Sequence, residues 1–426
     1  KRRPTGGLPA TVPVAVVGAG QSGLAVGYHL RPAPRSEVRT FCMRTDQRTD
    51  QPTDRPTDQP DPKRRPTGGL PATVPVAVVG AGQSGLAVGY HLRQAGVPCV
   101  LLDAGSEVGE TWQRRWDSLT LFTSAQFSGL PGLPFPGHGA HYPGKDEVVA
   151  YLRDYAERFE LPVLTDHPVL SLRRDGDGYL LSTPHGDCRA DRVVIATGAF
   201  GTPRIPDLAA GLSPDVPTLH TSEYRGPAQV AQGTVVVVGD GNSGRQIAGE
   251  LARTHEVVLS CSEAVSPPLP QTVVGRDMFW WMSVLGVMSL PVNMQAPDPV
   301  VGDRVPELVA EGRIRTVGRV TGAEGAELLV AGGERVKPST VIWATGFRTD
   351  WSWLDPEMLD EAGEPRQTEG IGAVPGSYYL GLYRMRTRGS ALIGFVGRDA
   401  EHVAAAITTA AHGTTAASPA AEGEPS

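Results

Sequence analysis

Two stretches far apart in this chain share one glycine spacing. Residues 76–85 read Val-Ala-Val-Val-Gly-Ala-Gly-Gln-Ser-Gly, and residues 235–244 read Val-Val-Val-Val-Gly-Asp-Gly-Asn-Ser-Gly. Each is a β-branched run entering G-x-G-x-x-G, followed by a helix-compatible segment at 86–92 or 245–251. Such a strand–turn–helix holds the pyrophosphate of a dinucleotide. The first glycine makes the tight turn, the second lets backbone approach the phosphates, and the third lets helix pack on strand. The phosphates then meet unpaired N–H groups at the positive end of the helix dipole. Gly80, Gly82, Ser84 and Gly85 form one such loop, and Gly239, Gly241, Asn242, Ser243 and Gly244 the other. Residues 100–103, Val-Leu-Leu-Asp, read as the next strand of the first unit, and Asp103 at its end is placed to accept hydrogen bonds from ribose hydroxyls. Two dinucleotide sites in one chain suggest a flavin meeting a nicotinamide.

A third copy of the fingerprint exists. Residues 1–31 recur identically as 63–93, which gives Gly18, Gly20 and Gly23 the same spacing. The residues after the first copy make a poor second strand with no acid matching Asp103, then a Thr/Asp/Gln/Pro run ending at Pro62. Such sequence buries too little apolar area to offset its ordering entropy, so disorder is expected there. Only one copy can fill a first-strand position, and the second is contiguous with a complete unit. The flavin site is therefore assigned to the second copy, and residues 1–62 to a duplicated segment plus disordered linker.

The remaining chain is long enough for two cores. The fold expected is α/β, with two Rossmann-like dinucleotide-binding domains and the NAD(P) domain inserted into the FAD domain. The predicted boundaries are 63–228 for the first FAD part, 229–338 for the insert, 339–412 for the second FAD part and 413–426 for a loose tail. The return at 339 rests on residues 344–346, which repeat the Ala-Thr-Gly of 196–198. Residues 145–159 read as an amphipathic helix, with Val148, Leu152, Tyr155 and Phe159 on one face. Residues 278–282, Met-Phe-Trp-Trp-Met, read as a buried helix of the insert, with a substrate mouth or membrane-facing tunnel as the alternative.

A net charge of −7 gives no support for nucleic acid or an anionic membrane as partner, and no apolar stretch is long enough to span a bilayer. The four cysteines, Cys42, Cys99, Cys188 and Cys261, form no C-x-x-C and no zinc spacing. A reduced, cytoplasmic protein without metal is expected, and a disulfide reductase is disfavoured.

Residues 74–400 resemble the class B flavoprotein monooxygenases, in particular the flavin-containing and indole-3-pyruvate-type members. The motifs run in order: the loop at 80–85, Gly109-Glu110-Thr111-Trp112, Trp116-Asp117-Ser118-Leu119, Tyr142-Pro143-Gly144-Lys145, both Ala-Thr-Gly turns, the loop at 239–244 and Arg388-Gly389. The resemblance implies that the first loop and Asp103 hold FAD, with Gly109 and Trp112 lining it. It implies that the second loop, with Arg245 reaching toward phosphate, holds NADPH, NADH being possible. It further implies hydride transfer to the flavin, reaction with O2, and delivery of one oxygen through a flavin hydroperoxide to a nitrogen or sulfur nucleophile or a 2-oxo acid. The partners are thus a small molecule and O2; the sequence does not specify an oligomeric state. An oxidase or reductase that oxygenates nothing, or an inactive nucleotide-binding flavoprotein, is the competing reading.

There are departures. Of the family's interdomain signature only His220 and Tyr224 remain, with Pro214 and Val216 at the Phe and Gly positions. Tyr224-Arg225 stands where ketone-oxidising relatives have Trp-Pro, and Phe122 occupies the position of an Asn near the flavin. The assignment of the first site is testable by truncation: residues 63–426 alone should carry as much flavin per chain as the full chain, read from the absorbance spectrum, and loss of flavin would move the site to residues 1–31.

Overall fold

The computed structural model describes residues 69–262, 269–290, 300–383 and 385–415, with side chains as far as 410. The duplicated segment and its linker lie outside the described residues. The chain opens with β1 (Thr73–Val79), whose last four residues are buried on both faces as a central parallel strand requires. It turns through glycine into α1 (Gln83–Gln94), then forms β2 (Cys99–Leu102) and the short α2 (Glu110–Gln113). The helix expected at 145–159 is α3 (Lys145–Arg158), with Val148, Leu152 and Tyr155 fully buried. Lys145, at its first turn, is nearly buried and points away from the helix. Its ammonium donates to the Gln113 and Arg115 carbonyls and to Asp117 Oδ1 at 2.8 Å, closing the end of α2.

Next come β3 (Val163–Leu164), the hairpin β4 (Ser171–Asp175) and β5 (Gly178–Thr183), and β6 (Gly186–Ile195). The first sheet is completed from the far end of the chain by β19 (Gln367–Thr368), β20 (Ile371–Gly372) and β21 (Ser377–Tyr379). Its order is β19-β20-β21-β6-β1-β2-β3, with the β4–β5 hairpin attached to β6. The strands around β1 run parallel. Helix α1 covers one face together with the C-terminal α7 (Gly397–Thr415), whose Ala400, Val403 and Ile407 join the same core.

The chain crosses to a second sheet through β7 (Thr202–Pro203). There it forms β8 (Thr218–His220), β9 (Thr234–Val238), α4 (Asn242–Leu251) and β10 (Glu256–Ser260). A small hairpin, β11 (Thr272–Val273) and β12 (Arg276–Asp277), leads into α5 (Met278–Val284), and α6 (Val305–Ala310) into β13 (Ile314–Val317). A three-stranded antiparallel sheet comes next, β14 (Val320–Glu324), β15 (Glu327–Val330) and β16 (Arg335–Val336), then β17 (Thr340–Trp343). The second sheet is all parallel in the order β13-β10-β9-β17-β8. Period-two alternation explains its packing. Val235, Val237 and Leu259 face α4, while Val236, Val258 and Trp343 face the small antiparallel sheet.

The structure departs from expectation at both ends of the insert, in the tail and in α5. The strand at 340 belongs to the second sheet, as does β8, so that sheet draws on residues 218–343 rather than 229–338. The chain rejoins the first sheet only after β18 (Phe347–Arg348), which pairs antiparallel with β7. The tail is helical as far as Thr415, because an alanine-rich stretch with threonines back-bonded to the helix, as Thr408 is to Ala404, extends α7. Helix α5 is amphipathic rather than buried: only Phe279 is enclosed, while Val284 is 61% exposed.

The paired crossings β7 and β18 are pinned by His220. Its Nε2 meets the Gly346 carbonyl at 2.9 Å, its Nδ1 meets Ser222, and its ring stands edge-on to Phe347. The Arg115 guanidinium lies over the Phe200 and Phe347 rings. Nε2–H donating to the carbonyl and Nδ1 accepting from the Ser222 N–H describe a neutral imidazole. Burial is the main force lowering its pKa below the ordinary 6.5; the Gly346 bond and Glu223 oppose that, and Arg115 adds to it. A lowered pKa means that the unfolded chain binds the proton first. Stability should therefore fall as pH drops below about 6.5 toward the lowered value, and His220→Gln should flatten that part of the slope in urea titrations.

Candidate functional site

The two glycine loops are built alike, each by three different constraints. Gly80 and Gly239 have φ of +101° and +110°, and a Cβ on them would lie 2.6 Å from the Ala196 carbonyl oxygen and 2.5 Å from that of Ala344. The third glycines, Gly85 and Gly244, would each place a Cβ 1.9 Å from the carbonyl oxygen of the first glycine. Both positions are closed by backbone. The middle glycines differ: nothing lies within 4 Å of a Cβ at Gly82 or Gly241, so the space there is open. Gly82 and Gly241 also begin α1 and α4 in extended conformation, with no side chain capping either helix and no acid in either first turn. No side-chain anion of its own first turn thus caps either helix, and the space beside each middle glycine is open.

The Ala-Thr-Gly repeat has its explanation here. β6 lies beside β1 and β17 beside β9, so each turn supplies the carbonyl that packs under its own glycine loop. The second copy is therefore part of the second unit and not the return to the first sheet that the sequence suggests.

Around the first loop, Asp103 sits at the end of β2. Its Oδ2 accepts from the Ala81 N–H at 2.6 Å and its Oδ1 from Gly105 N–H at 2.8 Å, which holds the carboxylate on the rim of the loop. Ser84 is buried under Gly381, where a Cβ would come within 2.1 Å of its hydroxyl. Trp112 donates from Nε1 to Gln83 Oε1 at 3.2 Å, bringing its indole to the first residue of α1. Gly109, at φ +88°, lets α2 approach Val149 of α3.

Around the second loop, Asn242 Oδ1 accepts from Val301 N–H at 3.5 Å, and Ser243 is exposed on the first turn of α4. Arg245 does not extend freely. Its Nε donates to the Asp240 carbonyl, and its guanidinium is ion-paired with Asp303, whose side chain is 1% exposed, with the Asp240 carboxylate 3.9 Å away. Asp303 does not stand out in the sequence, because an acid 58 residues from the arginine it pairs with leaves no local pattern.

The loops belong to units joined by specific contacts. Gln246 donates to the Thr120 carbonyl, Gln271 to the Phe122 carbonyl, Asp117 N–H to the Arg225 carbonyl, and Tyr142 OH to Asp277 at 2.5 Å. A cavity of about 330 Å³ lies at this junction, lined by Thr120, Phe122 and Tyr142 from one side and Asn242, Arg245 and Gln271 from the other. Phe122 stacks on Phe279 of α5, with Phe395 beyond it, so an aromatic cluster stands beside the cavity.

Among the described residues cysteine chemistry finds no support. Burial pushes the Cys99 thiol up to about 12 and those of Cys188 and Cys261 to about 11, so all three are protonated at neutral pH, and none forms a disulfide. Among the described residues no cluster fits a metal ion and no helix is long and apolar enough to cross a membrane.

Comparison with known proteins shows which family the chain resembles. Residues 77–267 match the pyridine nucleotide-disulphide oxidoreductase family model. A CzcO-like oxidoreductase of Geobacillus kaustophilus is 40% identical over 338 residues, covering 78% of this chain and 97% of the relative. The indole-3-pyruvate monooxygenase YUCCA1 of Oryza sativa subsp. japonica is 31% identical over 348 residues, covering 71% of this chain and 83% of its own. The structure of a flavin-containing monooxygenase from Stenotrophomonas maltophilia is similar with a TM-score of 0.68 at 28% identity, covering 80% of this chain and 99% of that one.

The middle glycines separate binding from folding. Gly82→Ala and Gly241→Ala should keep the melting temperature within about 3 °C of the parent, because the methyl enters open space. Gly82→Ala should abolish retained flavin, and Gly241→Ala should abolish nicotinamide binding while flavin stays. Gly85→Ala, forced against backbone, should instead lose soluble protein or fold stability by more than about 2 kcal/mol.

Proposed function

This chain belongs to the class B flavoprotein monooxygenase family and is an oxidoreductase of that kind; from that premise we propose that it uses FAD and a reduced nicotinamide dinucleotide to transfer one oxygen atom of O2 to a small organic molecule. The observation that carries the reading is the pair of matched glycine loops, each with an open cradle over its middle glycine. A diphosphate fits such a cradle, and a Cβ would fill it.

In this reading the first sheet and its helices, residues 73–195 and the stretch after β18, form the unit for FAD. Gly80, Gly82, Ser84 and Gly85 hold its pyrophosphate on α1, Asp103 takes the ribose, and Gly109 and Trp112 line the site. The sheet spanning residues 218–343 takes the nicotinamide dinucleotide on Gly239, Gly241, Asn242, Ser243 and Gly244. Arg245 acts there as a fixed part of the loop, tied to Asp303, rather than as a reaching phosphate ligand. Once bound, the flavin supplies the hydride-accepting and oxygen-activating chemistry.

The chain's own residues position and enclose. The Tyr142–Asp277 and Gln271–Phe122 bonds hold the two units across the cavity, and Phe122, stacked on Phe279, forms one patch of its wall. The substrate classes, a thioether, an amine or a 2-oxo acid, are those that the family resemblance implies.

The test is stoichiometry. The flavin-loaded protein should consume reduced nicotinamide and O2 in equal amounts, with a thioether, amine or 2-oxo acid raising the rate and suppressing peroxide release. Full recovery of the electrons as hydrogen peroxide with every substrate class would make the protein an oxidase, and a colourless protein would remove the flavin altogether.

A further inference from the structure

The two loops can be superposed through strand register. Val79 pairs with Leu102 in the first unit and Val238 with Ser260 in the second. Position by position, Gly80 then corresponds to Gly239, Ala81 to Asp240 and Asp103 to Cys261. The acid has changed sides. In the first unit the carboxylate stands at the strand end and accepts from the loop N–H of Ala81. In the second, the strand end carries a thiol, and the carboxylate stands on the loop, where Asp240 Oδ1 accepts from the Ser262 N–H at 3.3 Å.

The environment of that carboxylate is unusual. Asp240 is 7% exposed, and its Oδ2 is buried with no hydrogen-bond partner. The neighbouring cation, Arg245, is shared with Asp303, so two buried carboxylates and one guanidinium leave a net negative charge under the second loop. Nor does the strand end bring in a counter-charge: after Ser260 the sequence has no Lys or Arg until Arg276. A dinucleotide lying on this loop directs the 2′ position of its adenosine ribose at the end of the second strand. A hydroxyl there adds no charge. A phosphate there adds about two negative charges and needs a cation to meet it.

We infer that the second loop selects NADH over NADPH, with Asp240 as a specificity-determining residue. The inference rests on the proposed reading of that loop as the nicotinamide site, and it departs from the NADPH that the resemblance suggests. Two arginines outside the trio stand near it: Arg304, which lines the same cavity as Asn242 and Arg245, and Arg319, exposed two residues beyond β13, which pairs with β10 at Val317 and Ser260.

Equilibrium binding of the oxidised dinucleotides decides the matter without turnover. Calorimetry on the full, flavin-loaded chain should give a dissociation constant for NADP+ about tenfold or more above that for NAD+, a gap that narrows with added salt. Asp240→Asn should tighten NADP+ several-fold and leave NAD+ nearly unchanged, with flavin content and melting temperature reporting that the variant is folded. Equal or tighter binding of NADP+ by the parent overturns the inference while leaving the nicotinamide site intact, and selective loss of NADP+ in Arg319→Ala would identify the cation responsible. An unchanged ratio in folded Asp240→Asn overturns the role of Asp240. Binding of neither dinucleotide by flavin-loaded protein overturns the reading of the loop itself, and the inference with it.

Discussion

A backbone carbonyl pressed against a glycine that has no Cβ organises both halves of this protein. Ala196 O under Gly80 and Ala344 O under Gly239 sit where any side chain would collide, at a φ that other residues rarely adopt. That contact sets the height of the loop, the loop sets where its helix begins, and the third glycine lets the helix close on the first. The unfilled position left in each loop is the middle glycine, and the open space there is the feature with chemical use. Both cradles are therefore consequences of packing demands elsewhere in the loop.

The paired crossings β7 and β18 add a second constraint. Two strands of two residues each carry the chain between its sheets, held by a buried neutral His220 and by Arg115 over two phenylalanines. Additional bonds from Gln246, Gln271 and Tyr142 fix the units across a common cavity. The proposed function uses that arrangement, because in it electrons pass from one dinucleotide to the other across the shared cavity.

The parts of this organisation that are legible in the sequence are those encoded locally. The glycine spacing, the β-branched strands before it, Asp103 at the next strand end and the face of α3 all come from short-range periodicity. The second Ala-Thr-Gly turn is visible as a repeat, but its sheet is not, because parallel pairing joins strands separated by a hundred residues and leaves no local trace. The Asp240–Arg245–Asp303 trio and the Phe122–Phe279 stack are invisible for the same reason. Helix α5 reads as buried because its aromatic content does not reveal that one face is exposed among the described residues.

The most direct test of the paired-cradle account is anaerobic single-turnover mixing of flavin-loaded protein with reduced nicotinamide dinucleotide, protiated or deuterated at the transferred position. Direct transfer across a shared cleft predicts that the flavin absorbance bleaches in one phase, slower with the deuterated donor. A flavin that stays oxidised, or that is reduced only when a mediator dye is added, would mean that the two cradles do not serve one another.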